Sequence, residues 1–206
     1  MSEPWLFIPK QGDYDDFKNN LIENSPNGIN AEWEFLQRFI CKPGNKDKPT
    51  ISEQVNTLNK LYKTRIPLCE QSKIVADIMN SDFDKELGYE GYGLVEYLRY
   101  VKSERTTSKT INHFSFATKY CYHCRPNKYP IYDSVNMRVM SVYYGYEQKN
   151  NSNNYEKFVE CYSMFCKDFI GNYEIRIKQH GYEGFYIDKF IQAIGGSGLL
   201  RELLPR

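Results

Sequence analysis

The sequence predicts an all-α fold, a multi-helix bundle, on three observations. Apolar residues recur at spacings of three and four through most of the 206 residues. No long window alternates apolar and polar positions as a half-buried strand does. Aromatic residues make up 16% of the chain, led by 18 Tyr, and supply core mass that the modest aliphatic content does not. Hydrophobic residues at 41% and charged residues at 26% exclude a disordered chain and a coiled coil. The length suits a single all-helical domain, 1–206, with room for two lobes and a core that needs no disulfide or metal staple.

Each element has its own signal. Asp13 to Glu23 is a short amphipathic helix, and Ala31 to Cys41 is another with Trp33, Leu36 and Ile40 on one face. KPGNKDKP, Lys42 to Pro49, is a loop by composition. Ser52 opens a helix carrying Val55, Leu58, Leu61 and Tyr62 that ends before Pro67. Glu70 to Met79 and Tyr92 to Lys102 follow as helices, the glycines of GYEGYG between them reading as a loop. Ser103 to Lys109 is a polar connection. Asn112 to Cys124 is a helix closed by Pro126, and Tyr129 to Tyr132 is extended around Pro130. Asp133 is placed to cap a helix that runs through Tyr143. Gly145 to Asn154 is the most loop-like stretch. Tyr155, Phe158, Val159, Tyr162, Phe165, Cys166 and Phe169 form a helical stripe, and a last helix spans Tyr182 to Ile194 before Gly195-Gly196.

A net charge of +1 rules out nucleic-acid binding argued from bulk charge, so a polyanion site must come from local clustering. One segment clusters. Between Arg99 and Arg138, eight cations face only Glu104 and Asp133, a local net charge of +6. No run of 18 apolar residues is present, so no membrane span is expected, and MSEPWLFIPK does not read as a signal peptide. Most of the six Cys read as buried thiols of a reducing cytoplasm. Cys121 and Cys124 form a C-x-x-C around His123, but Cys161 and Cys166 sit within one helix and make a poor second clip, which argues against zinc. His123 reads as core or surface rather than as a ligand, and His180 as exposed.

The informative stretch is FSFATKYCYHCRPNKYPIYDSVNMRV, Phe114 to Val139. A lysine on a helix is followed by a proline-containing crossover and an aspartate at the start of the next helix. Tyr129-Pro130-Ile131-Tyr132-Asp133-Ser134 resembles the crossover of the helix-hairpin-helix DNA glycosylases, the endonuclease III and 8-oxoguanine glycosylase superfamily. Leu58 to Ile78 resembles the early helix–loop–helix of that superfamily, with Arg65 near the position that fills the gap left by an extruded base. Together the two segments cover about a quarter of the chain. The sequence departs from the pattern in two ways. Thr110 to Phe114 has no Gly-Val-Gly hairpin turn, and a gapless alignment on Asp133 puts Ser115 rather than Lys119 at the lysine position. Ser115 and Lys119 share one helix face at i and i+4.

The resemblance implies base flipping and cleavage of a glycosidic bond. Asp133 would stabilise the sugar cation or orient the nucleophile, and Lys119 would attack C1′ as a Schiff-base nucleophile. The candidate site then lies between residues 58–78 and 110–143. Arg65, Ser115, Arg125, Lys128, Ser134 and Arg138 would contact DNA, and Tyr129 and Tyr132, with Tyr120 and Tyr122, would stack on the base. This reading needs no metal or organic cofactor. Taken singly, a helical Lys is most often solvated and an Asp before a helix most often a cap. The rival reading is therefore a non-catalytic helical module that binds DNA or protein on a glycosylase-like scaffold. A nuclease or lyase using Lys119 with His113 or His123 ranks last, because no paired-carboxylate metal motif supports it.

Overall fold

The computed structural model describes residues 47–81, 83–88, 91–102, 110–125, 128–147, 155–173 and 187–192. The expected helices at Asp13 to Glu23 and Ala31 to Cys41, the connection at Ser103 to Lys109 and His180 lie outside the described residues.

Helix α1 spans Lys48–Leu61. It starts four residues ahead of the expected Ser52 because Asp47 caps it, Oδ2 accepting from the Thr50 N–H at 3.1 Å and the Thr50 hydroxyl at 2.8 Å. Pro49 sits in the first turn, where a missing N–H removes no helical bond. Ile51, Val55 and Leu58 give α1 its buried stripe. Helix α2, Leu68–Asn80, opens after Pro67 and buries Ile74, Val75 and Ile78. Two shorter helices follow, α3 over Phe83–Gly88, which the sequence did not signal, and α4 over Gly93–Arg99.

The expected helix from Tyr92 to Lys102 stops at Arg99. Tyr100–Lys102 is instead strand β1, paired antiparallel with strand β2, Thr110–Asn112, in the register Tyr100↔Asn112, Val101↔Ile111 and Lys102↔Thr110. Aromatic and β-branched residues at Tyr100, Val101, Thr110 and Ile111 favour this pairing over one more helical turn. Helix α5 then begins at Phe114 rather than Asn112 and runs to Cys124. Phe114, Phe116 to Tyr122 and His123 are all buried, the pattern of a helix enclosed on every side. It packs against α1 and α4. Helix α6 covers Ser134–Tyr144 and stops at Gly145, whose φ of 63° is the left-handed conformation glycine tolerates. Helix α7 covers Tyr155–Tyr173 and packs against α6, and residues 187–192 are helical.

The fold is thus all-helical but for one short strand pair among the described residues. The chain divides into two compact units, Glu34–Ile131 and Met1–Trp33 with Tyr132–Arg206. The boundary falls inside the Tyr129–Ser134 crossover, so Lys119 belongs to one unit and Asp133 to the other.

Candidate functional site

In the unit of Glu34–Ile131, Lys119 lies on the buried face of α5 at 4% exposure. Its Nζ donates to Ser115 Oγ at 2.6 Å, one helical turn back, and sits 5.1 Å from the centre of the Tyr62 ring, within cation–π range. The Tyr62 hydroxyl is 2.7 Å from His123 Nε2. α5 therefore gathers a hydroxyl, an amine and an imidazole around one tyrosine of the chain just past α1. His123 is a buried core residue. His113, at the start of α5, pairs with the buried Glu70 of α2 at 2.8 Å.

Arg65 lies in the turn between α1 and α2, where Lys63 and Arg65 both adopt positive φ, 50° and 59°. Asn59 holds this turn. Its Oδ1 accepts from the Ile66 N–H at 2.9 Å and the Thr64 hydroxyl at 2.6 Å, and its Nδ2 donates to the Ile66 carbonyl at 3.1 Å. Lys63 and Arg65 are exposed, and Leu68 just beyond is 77% exposed. Arg125 is exposed at the end of α5, while Lys128 lies 4.8 Å from the centre of the Tyr129 ring. Burial, then the neighbouring Arg125 charge, lowers the Lys128 pKa.

In the other unit, Asp133 is the N-cap of α6 and half-buried. Its Oδ1 accepts from the backbone N–H groups of Val135 at 3.0 Å and Asn136 at 2.9 Å. Gln192 Nε2 reaches Asp133 Oδ2 at 3.3 Å and Asn136 Oδ1 at 3.0 Å. Asn136 Nδ2 donates to Asp188 Oδ1 at 2.9 Å. Ser134 is exposed and Arg138 half-buried on the same helix.

Several groups assigned to DNA are committed to the interior. Tyr129 and Tyr132 are buried, as are Tyr120 and Tyr122, so none of the four offers a free ring face in this conformation. Tyr132 packs edge-on against Tyr146, Tyr155 and Phe158, and its hydroxyl meets that of Tyr146 at 3.2 Å. Rings of this size in a Tyr-rich chain build the core before they can serve as platforms. The basic segment also loses two charges to the interior. Besides Lys119, Arg99 is buried, with both Glu96 oxygens on Nη1 at 2.8 Å and Asn112 Oδ1 on Nε at 3.2 Å.

Cys69, Cys121, Cys161 and Cys166 are free thiols, two buried and two half-buried, and Cys124 is disulfide-bonded. Among the described residues, no group of three or more His, Cys, Asp or Glu side chains is arranged to hold a metal ion. No helix among them is long and apolar enough to cross a membrane.

Residues 18–128 match the HI_0787_N family, described as an N-terminal domain. The chain belongs to this family. The matched range includes Arg65, Ser115 and Lys119 and ends before Asp133. An uncharacterized protein of Haemophilus influenzae is 30% identical over 116 residues, which is 53% of this chain and 55% of that protein. The match thus spans about half the length of the relative. No solved structure matches.

Sequence reasoning missed Asn136, Asp188 and Gln192 around Asp133. A signal was present, since Asp133 and Asn136 stand three apart and Asp188 and Gln192 four apart, each pair on one helical face. Nothing in the sequence announces that the two faces meet.

Proposed function

We propose that this chain acts on DNA as a base-excising enzyme of the glycosylase type, with Asp133 as the carboxylate that stabilises positive charge on the sugar. The observation that supports it is the state of Asp133. One oxygen is held by two backbone N–H groups while the side chain remains partly open to solvent. A carboxylate fixed in this way can face a developing cation without reorganising during the reaction. The exposed turn carrying Arg65, held by the hydrogen bonds of Asn59, is suited to the DNA contact that the resemblance assigns to it. Lys119 is the second residue of the reading. Its amine donates to Ser115 from a buried site, so attack on C1′ requires the side chain to become accessible.

The test is a single-turnover assay on duplexes carrying a panel of modified bases, with abasic sites quantified and borohydride used to trap any imine. Abasic product that disappears in Asp133→Asn supports the reading. An adduct lost in Lys119→Ala adds a covalent step: the amine displaces the base from C1′, the sugar ring opens at the C1′–O4′ bond to give an imine, and borohydride reduces that imine in the trap; the lyase reaction is the β-elimination of the 3′-phosphate from the unreduced imine.

One observation favours the rival, a binding module without catalysis. Lys119, Arg99, Tyr129 and Tyr132 are all used internally. DNA affinity that persists in Asp133→Asn, with no base release by the unaltered protein on any duplex of the panel, would establish that module. The free thiols at Cys69, Cys121, Cys161 and Cys166 support a cytoplasmic setting, and the Cys124 disulfide weighs against it.

A further inference from the structure

A run of hydrogen bonds connects Asp133 through Gln192 and Asn136 to the buried Asp188. We propose that Asp188, acting through Asn136 and Gln192, is a positioning residue for Asp133; the catalytic part of this inference rests on the function proposed above.

Asn136 is fully buried, and its two amide ends have different neighbours. Asp188, 7% exposed, has an oxygen 2.9 Å from Nδ2. The Asp188 oxygen accepts from Nδ2, which places the amide nitrogen toward Asp188 and its oxygen toward Gln192. The Asn136 oxygen, 3.0 Å from Gln192, then requires an N–H there. That requirement turns the Gln192 amide so that its nitrogen, and not its oxygen, lies 3.3 Å from Asp133 Oδ2. Reversing Asn136 would put its NH2 against Gln192, turn the Gln192 oxygen inward and set two acceptors face to face at Asp133. Burial makes the reversed arrangement costly, because an unmatched polar group there has no water to fall back on. Asp188 therefore determines that the second oxygen of Asp133 meets a donor, while the backbone of α6 secures the first.

Three variants read this out, with NMR hydrogen exchange of the side-chain amides as the first arm and single-turnover base release as the second. In the unaltered protein the NH2 groups of Asn136 and Gln192 exchange slowly. Asp188→Ala is expected to speed exchange at both and to slow base release about tenfold, the scale seen when a group supporting a functional ligand is lost. Asp188→Asn can still present an oxygen to Asn136 Nδ2, and is expected to restore slow exchange and bring the rate back to within about threefold, as an orientation effect demands. Gln192→Leu, at a half-buried position, tests the last link should Asp188→Ala fail to fold, and is expected to show the same rate loss. Unchanged Gln192 exchange in Asp188→Ala, or base release untouched in Gln192→Leu, would overturn the proposal. If the unaltered protein releases no base, the proposed function fails, and the exchange arm alone decides whether Asp188 orients the amides.

Discussion

The described contacts that hold Lys119 come from side chains on two elements, Ser115 of α5 and Tyr62 at the end of α1. The short contacts described on Asp133 come from the backbone of its own helix, and the described side-chain contact, from Gln192, is longer at 3.3 Å. A group held by neighbouring side chains keeps its place only while the packing between its elements survives. A group held by the first turn of its helix keeps its place as long as that turn forms. Lys119 is therefore the position sensitive to substitutions in the core, and Asp133 the one that depends on its own helical turn.

The largest effect that would test this contrast is Asp133→Asn. Asparagine caps a helix as well as aspartate does, and its amide nitrogen would replace the oxygen facing Gln192 at a half-buried site, so stability should fall by no more than about 1 kcal/mol. Base release should fall by about 10²–10³-fold. Urea melts beside single-turnover assays separate the two, and a variant that keeps full turnover would remove Asp133 from the chemistry. Next comes Asn59→Ala. It strips three hydrogen bonds from the turn between α1 and α2 and should cost about 2–3 kcal/mol, seen as a lower urea midpoint at unchanged slope.

Tyr62→Phe sharpens the Lys119 side of the comparison. It removes the bond to His123 but keeps the ring beneath Lys119, and should cost about 1 kcal/mol. Lys119→Met, close in volume, should stay within about 1 kcal/mol of the parent and lose any borohydride adduct; a larger loss of stability would mean that the buried amine is principally structural. The smallest effect concerns thiol chemistry. Burial pushes the Cys121 and Cys166 thiols up, Cys166 to about 12, so both should resist iodoacetamide at pH 8 while half-buried Cys69 is modified first. Mass spectrometry of a time course gives the order.

The helical character, the cap at Asp133 and the stripe from Tyr155 to Phe165 were legible because they depend on local spacing. The strand pair was not, since Tyr100–Lys102 continues a helical pattern and its extended form needs Thr110–Asn112 beside it as well as its own β-favouring residues. Arg99 reads as a surface cation until Glu96, Asn112 and the Phe114 ring, 4.4 Å from its guanidinium carbon, enclose it. The same holds for the Asp188–Asn136–Gln192 set, in which Asn136 stands about a quarter of the chain from the other two. Local chemistry was readable; what each side chain would meet across the fold was not.

At Gly91 and Gly145 the backbone enters the left-handed region with the residue that does so freely. At positions 63 and 65 it does so with lysine and arginine, at a cost of roughly 1 kcal/mol each. Arg65→Gly should therefore raise stability by about 0.5 kcal/mol, the relieved strain less the added freedom of the unfolded chain, and weaken DNA binding in a titration. Folding has already ordered the loop that carries these two cations. A phosphate meeting them has only side-chain motion left to arrest, about 0.5–1.5 kcal/mol for each, whereas a mobile basic loop would also have to surrender its backbone freedom at the moment of contact.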